Sequence, residues 1–322
     1  MSANKQAFAE ISRAFASDLP FSLQYEWWNE VVVDNWEVSV FKEKGEIKAV
    51  WPYFKRTKGP FTMLCQPAFT PYGGPTFNYP EGQKIERRYS FEQKATAGVI
   101  ASLPAFSELE INCRIDLDNT LPFIWEGFED RKKYTYLLNL EQAEDEIWAN
   151  FRENIRRQIR KAEKSLKIER SEDAELIDRM LKSTFSEQTT AYPIQDAKVY
   201  QRIVDFLKKH NCGELLVAKD DNDKVHACLL WIHDANSAYY LIGGADQEHK
   251  NSGAMSLLMW NAIKDSKSVS LEQEKKLKQF NFEGSMIPAI EKYLRGFGGV
   301  LTPYSCLYKN NSIGLKLARK VL

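Results

Sequence analysis

The sequence predicts an α/β (α+β) chain of two similar halves, each a mixed sheet flanked by helices. Three observations carry this expectation. Alternating apolar and polar runs arrive in hairpin-sized groups, separated by amphipathic helices. The order of these elements is the same in both halves. The two endings also match, because Trp125-Glu126-Gly127-Phe128 and Leu294-Arg295-Gly296-Phe297 each precede a tyrosine-containing strand. A repeat of that kind points to an internal duplication, and meanders followed by helix crossovers imply mixed sheets.

The first half opens with amphipathic helices at Lys5–Phe15 and Leu23–Val33, the second carrying Trp27 and Trp28. Trp36–Lys42 and Glu46–Phe54 alternate apolar with polar around Lys44-Gly45, which predicts a hairpin. Phe61–Cys65 reads as a third strand, leading into the loop Thr70–Pro75. A helix near Gln83–Leu103, a strand at Glu108–Ile115, a short helix at Leu121–Trp125 and a strand at Tyr134–Leu140 follow. The second half has helices at Glu144–Leu166, Asp173–Phe185 and Ala197–Lys209, then strands Glu214–Lys219, Val225–His233 and Ser237–Ile242. Asp- and Asn-rich turns separate these strands, as tight turns require. A Gly243-Gly244 loop, a helix from Ser252, a strand at Gln279–Phe282, a helix at Pro288–Leu294 and a strand at Val300–Tyr308 complete it. Domains are therefore expected at residues 1–140 and 141–322, with a last strand shared between the halves as an open alternative.

At 322 residues, 43% hydrophobic and 27% charged, the chain has an ordinary globular composition. Lys plus Arg equals Asp plus Glu, 44 against 44, so attraction to a polyanion has to be local. The five cysteines are dispersed and form no C-x-x-C, which argues against a disulfide framework or zinc knuckle. Lys5, Glu10 and Arg13 interrupt any secretory h-region, and the longest apolar run, Ala227–Ile232, is too short to span a bilayer. A cytoplasmic protein without a transmembrane segment is expected.

The helix expected over Ile147–Lys167 buries Trp148, Phe151, Ile155, Ile159, Ala162 and Leu166 on one stripe. Off it lie Arg152, Arg156, Arg157, Arg160, Lys161, Lys164 and Lys167. Such a face is either simply solvated or suited to phosphate, which guanidinium forks bind bidentately. The run Phe151–Lys164 resembles the "R-x-N-I-R-R/K-x-I-R/K-K-A-x-K" helix of the Fem-type peptidoglycan aminoacyltransferases and their acetyltransferase-like relatives. Phe280-Asn281-Phe282-Glu283-Gly284-Ser285 is similar to that family's "F-D-F-E-G-S" strand end. Arg295–Gly299 is similar to its "K/R-x-F-G-G" turn. The resemblance covers about Leu140–Tyr308 and touches the first half only at Trp51-Pro52-Tyr53 and Pro71–Pro75. It implies tandem GNAT-like (N-acetyltransferase-like) domains, with substrate in a cleft.

Candidate site residues follow. His249–Ala254 stands where acyl-CoA-dependent relatives cradle pyrophosphate on a helix N-terminus; Lys250, Ser252, Gly253 and Ala254 are candidates there, together with Arg156, Arg157 and Lys161. The run departs from "Q/R-x-x-G-x-G/A", since Met255 replaces the second small residue. Ser252 as a plain helix cap is the competing reading. Glu283, at a strand end before Gly284, is a candidate general base; a carboxylate satisfied by the following turn is the alternative. Tyr240 is a second catalytic candidate, although strand tyrosines such as Tyr239 and Tyr240 commonly pack. Backbone N–H groups near Ala238–Leu241 are placed to polarise a carbonyl. Tyr72, Gly73, Gly74 and Ser285 are candidates for the acceptor cleft. His226 and His233 are an odd number of residues apart on one strand and face opposite sides; no metal site, nucleophile elbow or P-loop is expected.

The resulting expectation is an N-acyltransferase moving an acyl or aminoacyl group to an amine by direct attack. The acceptor is a small molecule or peptide amine, with a cell-wall precursor or another nucleotide-linked molecule as substrate class. The donor is acyl-CoA or aminoacyl-tRNA, so tRNA is a candidate partner and DNA is not. The alternative is a non-catalytic binding protein that keeps the fold with a decayed donor loop.

Overall fold

Lys44 and Gly45, at φ 52° and 85°, form the left-handed pair that closes a tight hairpin, and the first sheet grows from it. The computed structural model describes residues 1–186, 197–272 and 277–315, which divide into two units. Unit 1 comprises Met1–Lys133 and the segment from Pro303, and unit 2 comprises Tyr134–Thr302. In chain order unit 1 holds α1 (Ala3–Ala14), the short α2 (Tyr25–Trp27), β1 (Trp36–Glu43), β2 (Glu46–Lys58), β3 (Phe61–Cys65), β4 (Thr76–Phe77), α3 (Ile85–Ala101), β5 (Glu108–Asn112) and α4 (Leu121–Trp125). β6 (Glu129–Asn139) crosses the boundary. Unit 2 continues with α5 (Glu144–Asn150), α6 (Glu153–Ala162), β7 (Lys167–Ser171), α7 (Ala174–Phe185), α8 (Lys198–His210), β8 (Gly213–Lys219), β9 (Val225–His233), β10 (Ser237–Ala245), α9 (Ala254–Glu272), β11 (Gln279–Asn281) and α10 (Pro288–Leu294). β12 (Val300–Asn310) returns to unit 1.

The two units repeat one plan. In unit 1, β1, β2 and β3 form an antiparallel meander, and α3 carries the chain to β5, parallel to β3. In unit 2, β8, β9 and β10 form the meander, and α9 carries the chain to β11, parallel to β10. β7 extends the second meander by pairing with β8. The closing strands are exchanged between the halves. β6, made by the first half, pairs antiparallel with β11 through Leu137–Asn139. β12, made by the second half, pairs antiparallel with β5 through Cys306–Asn310. Burial accounts for this placement: Tyr136, Leu138 and Leu140 belong to the core of unit 2, and Leu307 to that of unit 1. In this division the units meet at Lys133/Tyr134, and β12 begins in unit 2 and continues into unit 1.

Three local features differ from the sequence expectation. The long helix around Glu144–Leu166 is broken, because Phe151 and Arg152 are extended with ψ of 138° and 140°. The Phe151 ring packs edge-on between Trp260 and Phe297, each 5.2 Å away, and the Arg152 N–H donates to Gly296 O at 2.8 Å. β7 was not anticipated. Gly243 and Gly244 lie inside β10 rather than in a loop. Among the described residues, no helix is long and apolar enough to cross a membrane.

Candidate active site

In unit 2 the parallel pair β10–β11 opens like a wedge. The strands pair only over Ser237–Tyr239 and Gln279–Asn281, while β10 runs on to Ala245. The register of β10 against β9 shifts between Tyr240 and Ile242, a bulge that bends the strand and re-aims its groups. At the far end the Thr184 hydroxyl, on α7, accepts the Ala245 N–H at 2.8 Å. Between these points no described strand covers the β11-facing edge of β10. The N–H and C=O groups of that stretch have no strand partner among the described residues.

Glu283 lies two residues past the last β11 pair. Its φ of 60° is a left-handed conformation that a glutamate adopts only at a cost, and such strain concentrates at functional sites. The Asn281 side chain stabilises the turn: its Oδ1 accepts the Glu283 N–H at 2.9 Å and the Thr135 hydroxyl at 2.6 Å. Gly284 completes it at φ 61°, where a Cβ would sit 2.1 Å from Tyr134 O. Although the residue is partly exposed, carboxylate Oε1 is buried without a hydrogen-bond partner among the described residues. Burial, and secondarily the negative charge of Asp234, pushes the carboxyl pKa well above the ordinary range. Asp234 is itself fixed, its Oδ1 accepting the Asn236 and Ser237 N–H groups and its Oδ2 the Tyr239 hydroxyl at 2.6 Å.

Tyr240 stands one residue beyond the last β10 pair, and its hydroxyl lies over Gly243, where a Cβ would come within 2.1 Å of it. Tyr293 on α10 lies within electrostatic range of Tyr240, and burial raises the pKa of both phenols. The Tyr293 hydroxyl is 3.4 Å from Ser256 Oγ, which donates to Gln158 Oε1 at 2.9 Å. These phenols stay protonated at neutral pH and can act as donors.

The expected donor loop rests on α6. Gly253, at φ 86°, lies so close that a Cβ would be 2.4 Å from Gln158 O, so both its conformation and its contact require glycine. Lys161 Nζ donates to Asn251 O at 2.9 Å, and Ser252 Oγ accepts the Ala254 N–H at 3.2 Å. α9 starts at Ala254 and runs for 19 residues, and its first turn presents N–H groups and the positive end of the helix dipole. The cationic face of α6 is divided. Arg156 pairs with Glu153 at 2.6 Å and Arg160 with the same carboxylate at 3.5 Å. Arg157 is exposed, as is Lys250, and Arg157 has no ion pair among the described residues. Arg156, Arg157, Lys161 and the loop Lys250–Ala254 thus share one region of unit 2, with Lys161 fastening the loop and Ser252 capping the helix.

The acceptor-cleft candidates are dispersed. Ser285 Oγ accepts the Ile287 N–H at 3.1 Å and shapes the turn before α10. Tyr72, Gly73 and Gly74 belong to unit 1, where the wedge between β3 and β5 is filled by the protein itself. Gln66 Oε1 accepts the Asn112 N–H at 2.9 Å, Gln66 Nε2 donates to Pro71 O at 2.7 Å, and the Gly73 N–H donates to Asn112 O at 2.7 Å. Tyr72 is only 2% exposed and packs edge-on against Tyr304 at 5.6 Å, which makes it a packing residue within its unit rather than a lining one. Sequence reading missed Asn281, Thr135, Asp234, Tyr293, Ser256 and Gln158. Asp234 carried only a turn signal, Asn281 and Gln158 stood inside the family-like motifs without being singled out, and Thr135, Tyr293 and Ser256 carried none.

Comparison with known proteins fits this geometry. Residues 149–273 match the model of the acetyltransferase (GNAT) domain. FemX superposes with a TM-score of 0.62 at 14% identity, over 95% of this chain and 96% of that one. A C-terminal DUF2156 domain assigned to lysylphosphatidylglycerol synthetase, from Agrobacterium fabrum, gives 0.56 at 13% identity, over 99% and 96%. A tandem GNAT protein from the clavulanic acid biosynthesis pathway gives 0.53 at 10%, over 96% and 95%. No significant sequence match was found among curated proteins. The chain has the Fem/GNAT-like acyltransferase fold.

Proposed function

We propose that the chain is an N-acyltransferase in which an amine attacks an activated acyl or aminoacyl carbonyl held in the β10–β11 wedge of unit 2. The observation that carries the reading is the Glu283 carboxyl, whose Oε1 is buried without a hydrogen-bond partner among the described residues, on a residue held in a strained conformation at the wedge mouth. A carboxylate with a raised pKa is suited to take a proton from an ammonium group. Glu283 takes one proton from the ammonium group, the amine nitrogen adds to the carbonyl carbon, and the tetrahedral adduct collapses with cleavage of the bond to the donor's sulfur or oxygen. The Tyr240 hydroxyl protonates the leaving thiolate or alkoxide and recovers a proton from the adduct nitrogen. Backbone N–H groups on the open edge of β10 polarise the carbonyl oxygen, with no covalent enzyme intermediate.

The donor's phosphates are placed at the start of α9, with Arg157 and Lys250 completing the electrostatics and Lys161 positioning the loop. Coenzyme A and tRNA both carry such phosphates; a cell-wall precursor or another nucleotide-linked amine is the proposed acceptor class. Thermal-shift and binding assays with coenzyme A, acyl-CoAs and tRNA test the reading. Stabilisation by one donor type that weakens on Arg157→Glu supports it. Indifference to all of them overturns it.

A further inference from the structure

We propose that Asp220, His226 and His249 form a binding site for a zinc-type divalent metal ion, separate from the acyl-transfer wedge. Asp220 lies in the β8–β9 turn, His226 at the start of β9, and His249 ends the short 3₁₀ turn Gln247–His249 that precedes the donor loop. One ligand atom from each residue falls within 4.8 Å of the other two, and the two imidazole rings lie 4.0 Å apart.

The carboxylate is pre-oriented. Asp220 Oδ1 accepts the N–H groups of Asn222 and Lys224 at 2.9 and 3.0 Å, and Oδ2 faces His226 Nε2 at 3.2 Å. His226 is 8% exposed, and both its Nδ1 and the Nδ1 of His249 are buried without a hydrogen-bond partner among the described residues. Each of the two neighbouring imidazoles thus keeps one buried nitrogen without a hydrogen-bond partner among the described residues, a costly arrangement for a purely structural cluster. Neutral imidazoles and a carboxylate form the donor set that zinc takes. Ligand atoms around a tetrahedral zinc at ~2.0–2.1 Å lie about 3.4 Å apart, so side-chain rotations of about 1 Å close the cluster.

The neighbouring charges fit this assignment. Lys224 Nζ is 3.4 Å from Asp246 Oδ2 and 3.7 Å from Glu248 Oε2, which holds those carboxylates in ion pairs and leaves three protein ligands. Asp246 Oδ2 also lies 3.6 Å from His249 Nδ1. His233 takes no part: its Nδ1 is 3.1 Å from Asp234 O. The metal fastens the leading side of the loop whose trailing side Lys161 already holds. Its effect on donor binding rests on the function proposed above, whereas metal binding itself does not.

The experiment uses tag-free full-length chain, stripped with chelator, reloaded with zinc and freed of excess by gel filtration. Metal analysis is expected to find one zinc per chain, with a rise in melting temperature. His249→Gln and Asp220→Asn, both at partly exposed positions, are expected to lose the zinc and the thermal shift while keeping the wild-type circular dichroism. Lys224→Ala is expected to keep both. Wild-type chain without bound zinc overturns the proposal, as does a His249→Gln/Asp220→Asn double variant that retains its zinc. Calcium binding as tight as zinc overturns the imidazole-ligand assignment. Donor affinity compared between the stripped and the zinc-reloaded chain tests the coupling separately.

Discussion

Glu283 and Gly284 show what a single turn can impose on chemistry. Consecutive left-handed residues turn the chain out of the β-ladder at Glu283, and the Asn281 side chain, itself bonded by Thr135, holds the Glu283 backbone N–H. Glu283→Gln is expected to lower kcat by at least about 10²-fold and to flatten the acidic limb of the pH–rate profile. The stability consequence has a definite sign. The folded carboxyl titrates above its ordinary value of 4.5, so above that pH the native chain keeps a proton that the unfolded chain has lost. Stability falls as pH rises from 4.5 towards the raised pKa, and the Gln variant escapes that fall. Urea midpoints of the two proteins are expected to agree near pH 4 and to favour the variant at neutral pH. Gly284→Ala, which forces a Cβ towards Tyr134 O, is expected to destabilise unit 2 by about 1–3 kcal/mol in chemical denaturation. The place of Glu283 past a strand end was readable from the Gly and Ser that follow it, whereas its role as a base rests on the proposal above. Asp234 was not, since its side-chain bonds to the next residues are those of any Asx turn. The sequence placed Tyr72 beside Gly73-Gly74 without showing its depth, which is near-complete burial within the unit.

At the scale of elements, α6 joins the core to the loop that precedes α9. Its apolar edge of Ile155, Ile159 and Ala162 is buried, and its backbone receives Gly253. Charge reversal at the exposed Arg157 is expected to lower affinity for a phosphate-bearing donor about 10-fold or more at low salt. Because the side chain is exposed, the melting temperature should stay nearly constant; isothermal titration and calorimetry check the two arms. Phe151→Ala removes the ring between Trp260 and Phe297 and is expected to cost about 3–5 kcal/mol, read as a lower denaturation midpoint. The stripe of α5 and α6 was visible in the sequence, but the break between them was not. Phe151 is buried in either geometry, and neither glycine nor proline marks the kink. β7 escaped notice because Lys-Ile-Glu-Arg-Ser offers one apolar side chain, as befits a charged edge strand.

For the whole molecule, the repeated order of meander, helix and parallel strand was readable from alternation and turn residues. The partner of each closing strand was not. Alternation tells which face of a strand is buried, and Tyr134–Leu140 satisfies that requirement beside β11 as well as beside β5. The exchange makes a truncation prediction. A chain ending at Thr302 loses the antiparallel partner of β5 and the buried Cys306 and Leu307. Unit 1 should then become the protease-sensitive part in limited proteolysis, with cleavage between Met1 and Lys133, while fragments of unit 2 persist.

The same exchange has a kinetic consequence. On a ribosome, β5 is complete long before its antiparallel neighbour β12 is synthesised, about 190 residues later in the chain. During that interval the nascent first half offers an unpaired strand edge, the kind of surface that recruits chaperones or other nascent chains. Unit 2 has no such delay, because β6 is made before β11. The second unit is thus able to assemble first although it is translated later, and the chain completes its beginning last.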